Sequence, residues 1–241
     1  MRAVILAGGR GQRLLPYTAV LPKPLMPVGD RPILELVIGQ LREAGFTRLT
    51  FAVGHLAGLI QAYFGDGRRF GVTIDYSIEA GPLGTAGPLG LIDDLEDDFL
   101  LMNGDVLTDL DFASLMAAHR ASGAVATVAV YRKAVDVTLG VLTLDEDSRV
   151  VAYDEKPALH FLASSGIYCM RPSVRAWLEP GVACDLPDLV RRLVAAGERV
   201  NGHQFGGYWL DIGRHEDYER AIQVVASGGL GTGAAMRAEG A

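Results

Sequence analysis

An apolar run, Ala3–Ala7, stops abruptly at Gly8-Gly9-Arg10-Gly11, and this junction limits the architectures open to the chain more than any other stretch. A short apolar run that breaks into glycines reads as a buried strand feeding a loop whose backbone must approach something closely. Successive glycines let backbone N–H groups converge on one anion, and Arg10, Arg13 and Lys23 add three cations to the same segment. Phosphate suits that composition, and a tight turn flanked by solvated basic residues is its other use. The loop lacks the Gly-Lys-Ser/Thr end of a P-loop, and it does not have the G-x-G-x-x-G spacing of a dinucleotide fingerprint.

With 241 residues, 49% of them hydrophobic, the chain can bury one large core. The pattern predicts a single domain over residues 1–226 and a flexible tail over 227–241, where Gly and Ala dominate without periodicity. Leu34, Val37, Ile38, Leu41 and Ala44 recur at helical spacing between Pro32 and Gly45. Thr47–Val53 reads as a strand, His55–Phe64 as a helix, Val72–Ile78 and Phe99–Met102 as strands, and Asp109–Ala121 as a helix. Such alternation predicts an α/β fold, Rossmann-like and doubly wound, with a mainly parallel sheet and ligands at the carboxyl ends of its strands. From Ala124 onward the segments ATVAVY, GVLTLD, RVVAYD and LASSGIYCM read as strands of a second half, some antiparallel. Helices over Asp185–Ala196, to which no functional role is assigned, and His215–Val225 complete the reading.

The net charge of −7 argues against a nucleic-acid or anionic-membrane surface. Two cysteines, Cys169 and Cys184, suit neither a zinc knuckle nor a disulfide framework and fit a reducing compartment. No run has the length of a membrane span or signal peptide, so the expected location is the cytoplasm. The five histidines show no ligand spacing, against a zinc hydrolase.

Four further segments carry candidate chemistry. Glu79 to Leu89 holds too many small residues and helix breakers to be core, and suits a flat ligand or a strand-to-helix turn. Asn103-Gly104-Asp105 follows a buried strand, so its carboxylate faces the ligand crevice unless it serves a turn. Asp154-Glu155-Lys156-Pro157 ends a strand in charge. Tyr208 to Gly213 sets Asp211 in an apolar stretch, where a carboxylate needs a partner.

Together, Gly8-Gly9-x-Gly11-x-Arg13-Leu14-x-Pro16-x-Thr18, Pro22-Lys23-Pro24-Leu25 and Pro27-Val28 resemble the signature of the sugar-1-phosphate nucleotidyltransferases. Leu83 to Gly87, Asn103 to Asp105, Glu155 to Pro157 and Tyr208 to Gly213 follow in family order, so the resemblance covers roughly residues 1–226. Gln12 departs from it, since the family most often has Thr there. The resemblance implies a glycosyltransferase-A-like sheet and attack of a sugar 1-phosphate on the α-phosphorus of a nucleoside triphosphate. It assigns Arg13, Lys23 and Asp105 to catalysis, and Leu6, Ala7, Gly8, Gly9, Gly11, Glu79, Gly84 and Thr85 to the nucleotide, with the Gly84 loop opening a helix. Asn103, Gly140, Glu155, Lys156 and Trp209 fall to the sugar phosphate, and Asp105 and Asp211 to a shared Mg2+. A homodimer is common in such families. Many relatives continue into a left-handed β-helix, which a chain of this length is not expected to hold.

Glu79 bears on the base. Guanine offers adjacent N1–H and N2–H donors that one carboxylate can accept, whereas uracil or thymine presents one N–H between two carbonyls that would repel it. The chain therefore looks closest to the mannose-1-phosphate guanylyltransferases. A uridylyl- or thymidylyltransferase and a non-catalytic nucleotide-sugar-binding relative are the alternatives.

Overall fold

The computed structural model describes residues 1–228. The chain enters as β1 (Arg2–Leu6) and passes through three short 3-10 turns. A clasp of β2 (Pro27–Val28) and β3 (Arg31–Pro32) leads into α1 (Ile33–Glu43). Next come β4 (Arg48–Val53), α2 (Ala57–Phe64), β5 (Thr73–Ile78), β6 (Phe99–Asn103), β7 (Val106–Thr108) and α3 (Phe112–Ser122). The second half contains β8 (Ala126–Asp136), β9 (Val141–Leu144), β10 (Val150–Asp154) and β11 (Ala158–Met170). It ends with α4 (Leu186–Ala195), β12 (Val200–Phe205), β13 (Trp209–Asp211) and α5 (His215–Ala226).

Seven strands form one sheet in the order β12-β8-β11-β6-β1-β4-β5. β11 runs antiparallel to both of its neighbours, and the remaining pairings are parallel. β1 is central and carries an uninterrupted apolar run because it is covered on both faces: Ala3 and Ile5 join the core beneath α1, α2 and α3, and Val4 joins the core beneath α4. α1 forms where Ile33, Leu34, Val37, Ile38 and Leu41 share a buried stripe, and it stops at Gly45, whose φ of 86° favours glycine.

The doubly wound α/β architecture expected from the alternation is therefore the one found. The loop after β5 does not open an α-helix; it makes a 3-10 turn over Gly87–Leu91, because Gly87, Pro88 and Gly90 fall inside five residues. β8 and β11 run further than ATVAVY and LASSGIYCM suggested, since Arg132–Asp136 pair with Ala158–Leu162 in a two-stranded extension. Most of the expected tail, residues 229–241, lies outside the described residues.

A candidate active site at the switch point of the sheet

From β1 the chain first adds strands on one side, β4 and β5, and then returns to pair β6 on the other. That reversal opens a crevice at the carboxyl ends of β1 and β6, where Leu6 lies opposite Asn103. The glycine loop leaves β1 here, tied by Ala7 N–H to Ala52 O at 2.8 Å and by His55 N–H to Gly8 O at 3.3 Å. Gly11 has φ 61°, and a Cβ on it would stand 2.8 Å from Thr18 Cγ2. The Thr18 hydroxyl donates to Gly11 O at 2.8 Å and pins the turn that requires the glycine.

A cavity of about 840 Å3 occupies the crevice. Its wall includes the catalytic candidates Arg13, Lys23 and Asp105 and all eight nucleotide candidates: Leu6, Ala7, Gly8, Gly9, Gly11, Glu79, Gly84 and Thr85. Of the sugar-phosphate candidates only Asn103 lines it. Trp209 stands outside the cavity wall, stacked on Tyr131 at 4.4 Å and donating from its indole N–H to Ser165 O at 2.8 Å. Gly140, Glu155 and Lys156 lie on an exposed extension, outside the cavity wall, with Lys156 Nζ 3.8 Å from Glu155.

Lys23 is buried on a 3-10 turn, and its ammonium bonds Asp105 and lies 3.7 Å from Asp211 Oδ1. The two aspartates come from opposite halves of the chain and meet because β13 pairs with β7, with Ile212 N–H donating to Asp105 O at 3.1 Å. Asp105 Oδ1 and Asp211 Oδ1 are buried and accept no hydrogen bond. Burial, and then repulsion from Asp105, raise the Asp211 carboxyl above its usual range, with Lys23 and Arg13 pulling against them. A Cβ on Gly213 would sit 3.3 Å from the Arg13 guanidinium, which puts that cation beside the pair. Among the described residues no group of three or more His, Cys, Asp or Glu converges. Two carboxylates whose buried oxygens accept no hydrogen bond, with no third side-chain ligand, fit Mg2+, which fills its remaining positions with phosphate oxygens and water.

On the other side of the cavity, Glu79 accepts from Leu83 N–H at 3.3 Å, and burial raises its carboxyl while that bond lowers it. A Cβ on Gly8 would lie 2.7 Å from Glu79 Oε1, so the glycine loop and the Glu79–Leu89 loop touch. Thr85 does double duty. Its hydroxyl accepts from Leu186 N–H at 2.8 Å and reaches Asp185 at 3.3 Å, which ties the Glu79–Leu89 loop to the start of α4.

Three contributions escaped sequence reasoning. Asp185, on a helix given no role, holds the Glu79–Leu89 loop through Thr85 N–H at 3.0 Å. Gly166, φ 76°, sits in the register shift between β11 and β8, and a Cβ there would meet Asn103 Nδ2 at 3.1 Å. Gly54 and His55 line the cavity at the end of β4, a placement that the carboxyl-end rule for parallel strands could have flagged.

The chain is similar to known proteins. Residues 2–228 match the family model described as nucleotidyl transferase. The chain is 36% identical to a UTP–glucose-1-phosphate uridylyltransferase of Synechocystis over 94% of its own length and 64% of the relative's. It is 33% identical to a mannose-1-phosphate guanyltransferase of Schizosaccharomyces pombe over 90% and 62%. It thus spans less than two-thirds of these curated relatives. Among solved structures it is similar to a putative glucose-1-phosphate thymidylyltransferase of Bacillus anthracis, with a TM-score of 0.76, 26% identity, and coverage of 93% and 95% of the two chains. With its sheet, its glycine loop and its match over nearly every described residue, this chain belongs to the nucleotidyl transferase family, on the glycosyltransferase-A-like fold.

Proposed function

We propose that this chain transfers a nucleotidyl group from a nucleoside triphosphate to a sugar 1-phosphate, releasing a nucleotide-sugar and pyrophosphate. The observation that carries the reading is that the Gly8–Gly11 loop, Lys23 and Asp105 line one crevice, with Asp211, itself outside the cavity wall, 3.7 Å from the Lys23 ammonium. A phosphate monoester has its second pKa at about 6, so the attacking oxygen is already ionised near neutral pH and needs no protein base. The barrier is repulsion between two polyanions, which charge and positioning lower. Backbone N–H groups of the glycine loop cradle the triphosphate, Arg13 neutralises it, and Lys23 serves the α-phosphate. Asp105 and Asp211 would hold Mg2+, which when bound supplies charge shared between both phosphates. No histidine has a role in these steps.

For the base we propose guanine, with Glu79 accepting from its N1–H and N2–H, and mannose 1-phosphate or a related sugar as acceptor. A specific observation keeps uracil as the second reading: the 36% identical Synechocystis relative is named for UTP. Purified protein assayed for pyrophosphate with GTP, UTP, dTTP and ATP against several sugar 1-phosphates tests both levels. GTP should give the highest kcat/KM. No pyrophosphate with any pair would overturn catalysis, and a pyrimidine preference would overturn the guanine reading alone.

A further inference from the structure

On the hairpin of β9 and β10 a tyrosine hydroxyl lies against the carboxylate of Glu155. Tyr153 Oη donates to Glu155 Oε2 at 2.9 Å. The other oxygen, Oε1, faces the Lys156 ammonium at 3.8 Å, and Lys156 reaches it from a left-handed backbone with φ 47°. The register pairs Tyr153 with Leu142 and Asp154 with Val141, so Glu155 comes opposite Gly140. A Cβ on Gly140 would overlap the Tyr153 hydroxyl, lying 2.6 Å from the tyrosine Cζ and 3.2 Å from Glu155 Oε2. Gly140 has no left-handed φ, so its backbone does not require a glycine. The tyrosine hydroxyl does. The contact adds little to the fold: it joins residues two apart on one chain and so closes no loop, the β9–β10 ladder already holds the hairpin, and Tyr153 is 61% exposed. Its effect falls on the Glu155 side chain, a type with much rotamer freedom to lose on binding.

We propose that Tyr153 is a positioning residue for the acceptor: its hydroxyl, in a slot that Gly140 keeps open, holds the Glu155 carboxylate in the orientation that accepts the hydroxyls of the sugar 1-phosphate. This rests on the function proposed above. A carboxylate has about four lone-pair sites. Tyr153 takes one and the Lys156 ammonium lies beside the other oxygen, which leaves sites on both oxygens for a sugar hydroxyl. Ordering the side chain before the ligand arrives removes part of the cost of binding it. The extension is continuous with the crevice, because β11 leads from it to Gly166, beside the Asn103 amide that lines the cavity. Gly140 then serves the sugar indirectly, through the room it leaves for Tyr153. Tyr153 acts on the hydroxyls of the acceptor and leaves the nucleotide alone.

Two measurements on the full chain test it, with mannose 1-phosphate and glucose 1-phosphate as acceptors: initial rates of pyrophosphate release, and calorimetric titration of each sugar phosphate with GTP or UTP present and Mg2+ removed by EDTA. Tyr153→Phe, an exposed change that deletes one oxygen, should raise the KM and Kd of the sugar phosphate roughly threefold to tenfold, the range of one hydrogen bond. The nucleotide KM and kcat should stay as in the wild type. Gly140→Ala should weaken the sugar phosphate similarly, and adding it to Tyr153→Phe should change little more. In a Glu155→Ala background Tyr153→Phe should have no effect, because the tyrosine acts through the carboxylate. Unchanged sugar-phosphate affinity in Tyr153→Phe overturns the proposal, as does a penalty that persists without Glu155, an equal rise in both substrates' KM, or a wild type that binds neither sugar phosphate. Pyrophosphate release with no tyrosine effect would sink the positioning role and leave the catalytic reading standing. A tyrosine effect in the titrations without any pyrophosphate release would do the reverse.

Discussion

At the residue scale the decisive feature is that Lys23 places its ammonium between two aspartates, each with one buried oxygen that accepts no hydrogen bond. Asp105→Asn and Asp211→Asn should each remove most turnover at every Mg2+ concentration. Metal-free Asp211→Asn should nevertheless unfold within about 1 kcal/mol of wild type, because the ionised Asp211 is disfavoured by burial and by Asp105 while Lys23 keeps Asp105. Urea unfolding beside a pyrophosphate assay checks both, and near-normal activity in either variant would remove it from the metal site. Glu79 gives a second prediction. Glu79→Gln turns one acceptor into a donor, and leaving a buried donor unpaired costs about 1–3 kcal/mol. The GTP-to-UTP ratio of kcat/KM should therefore fall roughly tenfold to a hundredfold. Burial holds the Glu79 carboxyl above its usual range, so on acidification it gains its proton earlier than an exposed glutamate. A protonated carboxyl presents one donor and one acceptor, as Gln does. The ratio should fall with pH in the wild type and stay flat in Glu79→Gln; parallel profiles would mean that Glu79 does not read the base.

At the scale of elements, the Glu79–Leu89 loop is shaped by its attachment to α4. Gly84 has φ 74°, and a Cβ on it would lie 2.6 Å from both Asp185 Oδ1 and Cys184 O. Since a backbone carbonyl cannot swing away, Gly84→Ala should destabilise by more than about 1 kcal/mol. Asp185→Ala removes the acceptor for Thr85 N–H and leaves the rest of the cavity untouched. It should raise the nucleotide KM several-fold, with the sugar-phosphate KM unchanged. Initial-rate kinetics with each substrate varied in turn measure the split, and equal rises in both would show a loss of fold instead. The periodicity of β1, α1 and α4 made these elements legible, because each has a buried face that admits few alternatives. The ribbon beyond Tyr131 was not, because its apolar residues are exposed and its ladder partner lies in a distant segment.

Across the whole molecule, a cluster at the amino-terminal edge of the sheet joins β1, β4 and the segment before β6. Arg2 donates to Thr50 and, at 2.8 Å, to Asp94, which also pairs with Arg48. Arg2 holds the Asp94 carboxyl below its usual range, more strongly than partial burial raises it. A depressed carboxylate stabilises the fold above its unfolded pKa of about 3.9, and the benefit is lost as pH falls through the lower folded value. Asp94 is half-exposed, so solvent screening limits the loss in Asp94→Asn to about 1 kcal/mol at neutral pH. The urea midpoints of variant and wild type should converge below about pH 4; a gap that persists in acid would mean the pairing is not what stabilises.

The sequence by itself determined the α/β class, the strand-to-glycine junction and the chemical character of the crevice, because hydrophobic period and glycine placement are local properties of the backbone. It also singled out Lys23, Asp105 and Asp211. Only the tertiary structure decided that the two aspartates meet, since this depends on the pairing of β13 with β7. The same holds for Asp185 and Thr85, one hundred residues apart along the chain. Tertiary structure also decided where the Glu155–Lys156 motif stands: out on the exposed extension, beyond the cavity that its spacing alone could not place it in or out of. Residue types carry the chemistry of a site, but sheet order and register decide which of those groups share a volume small enough for them to act on one another.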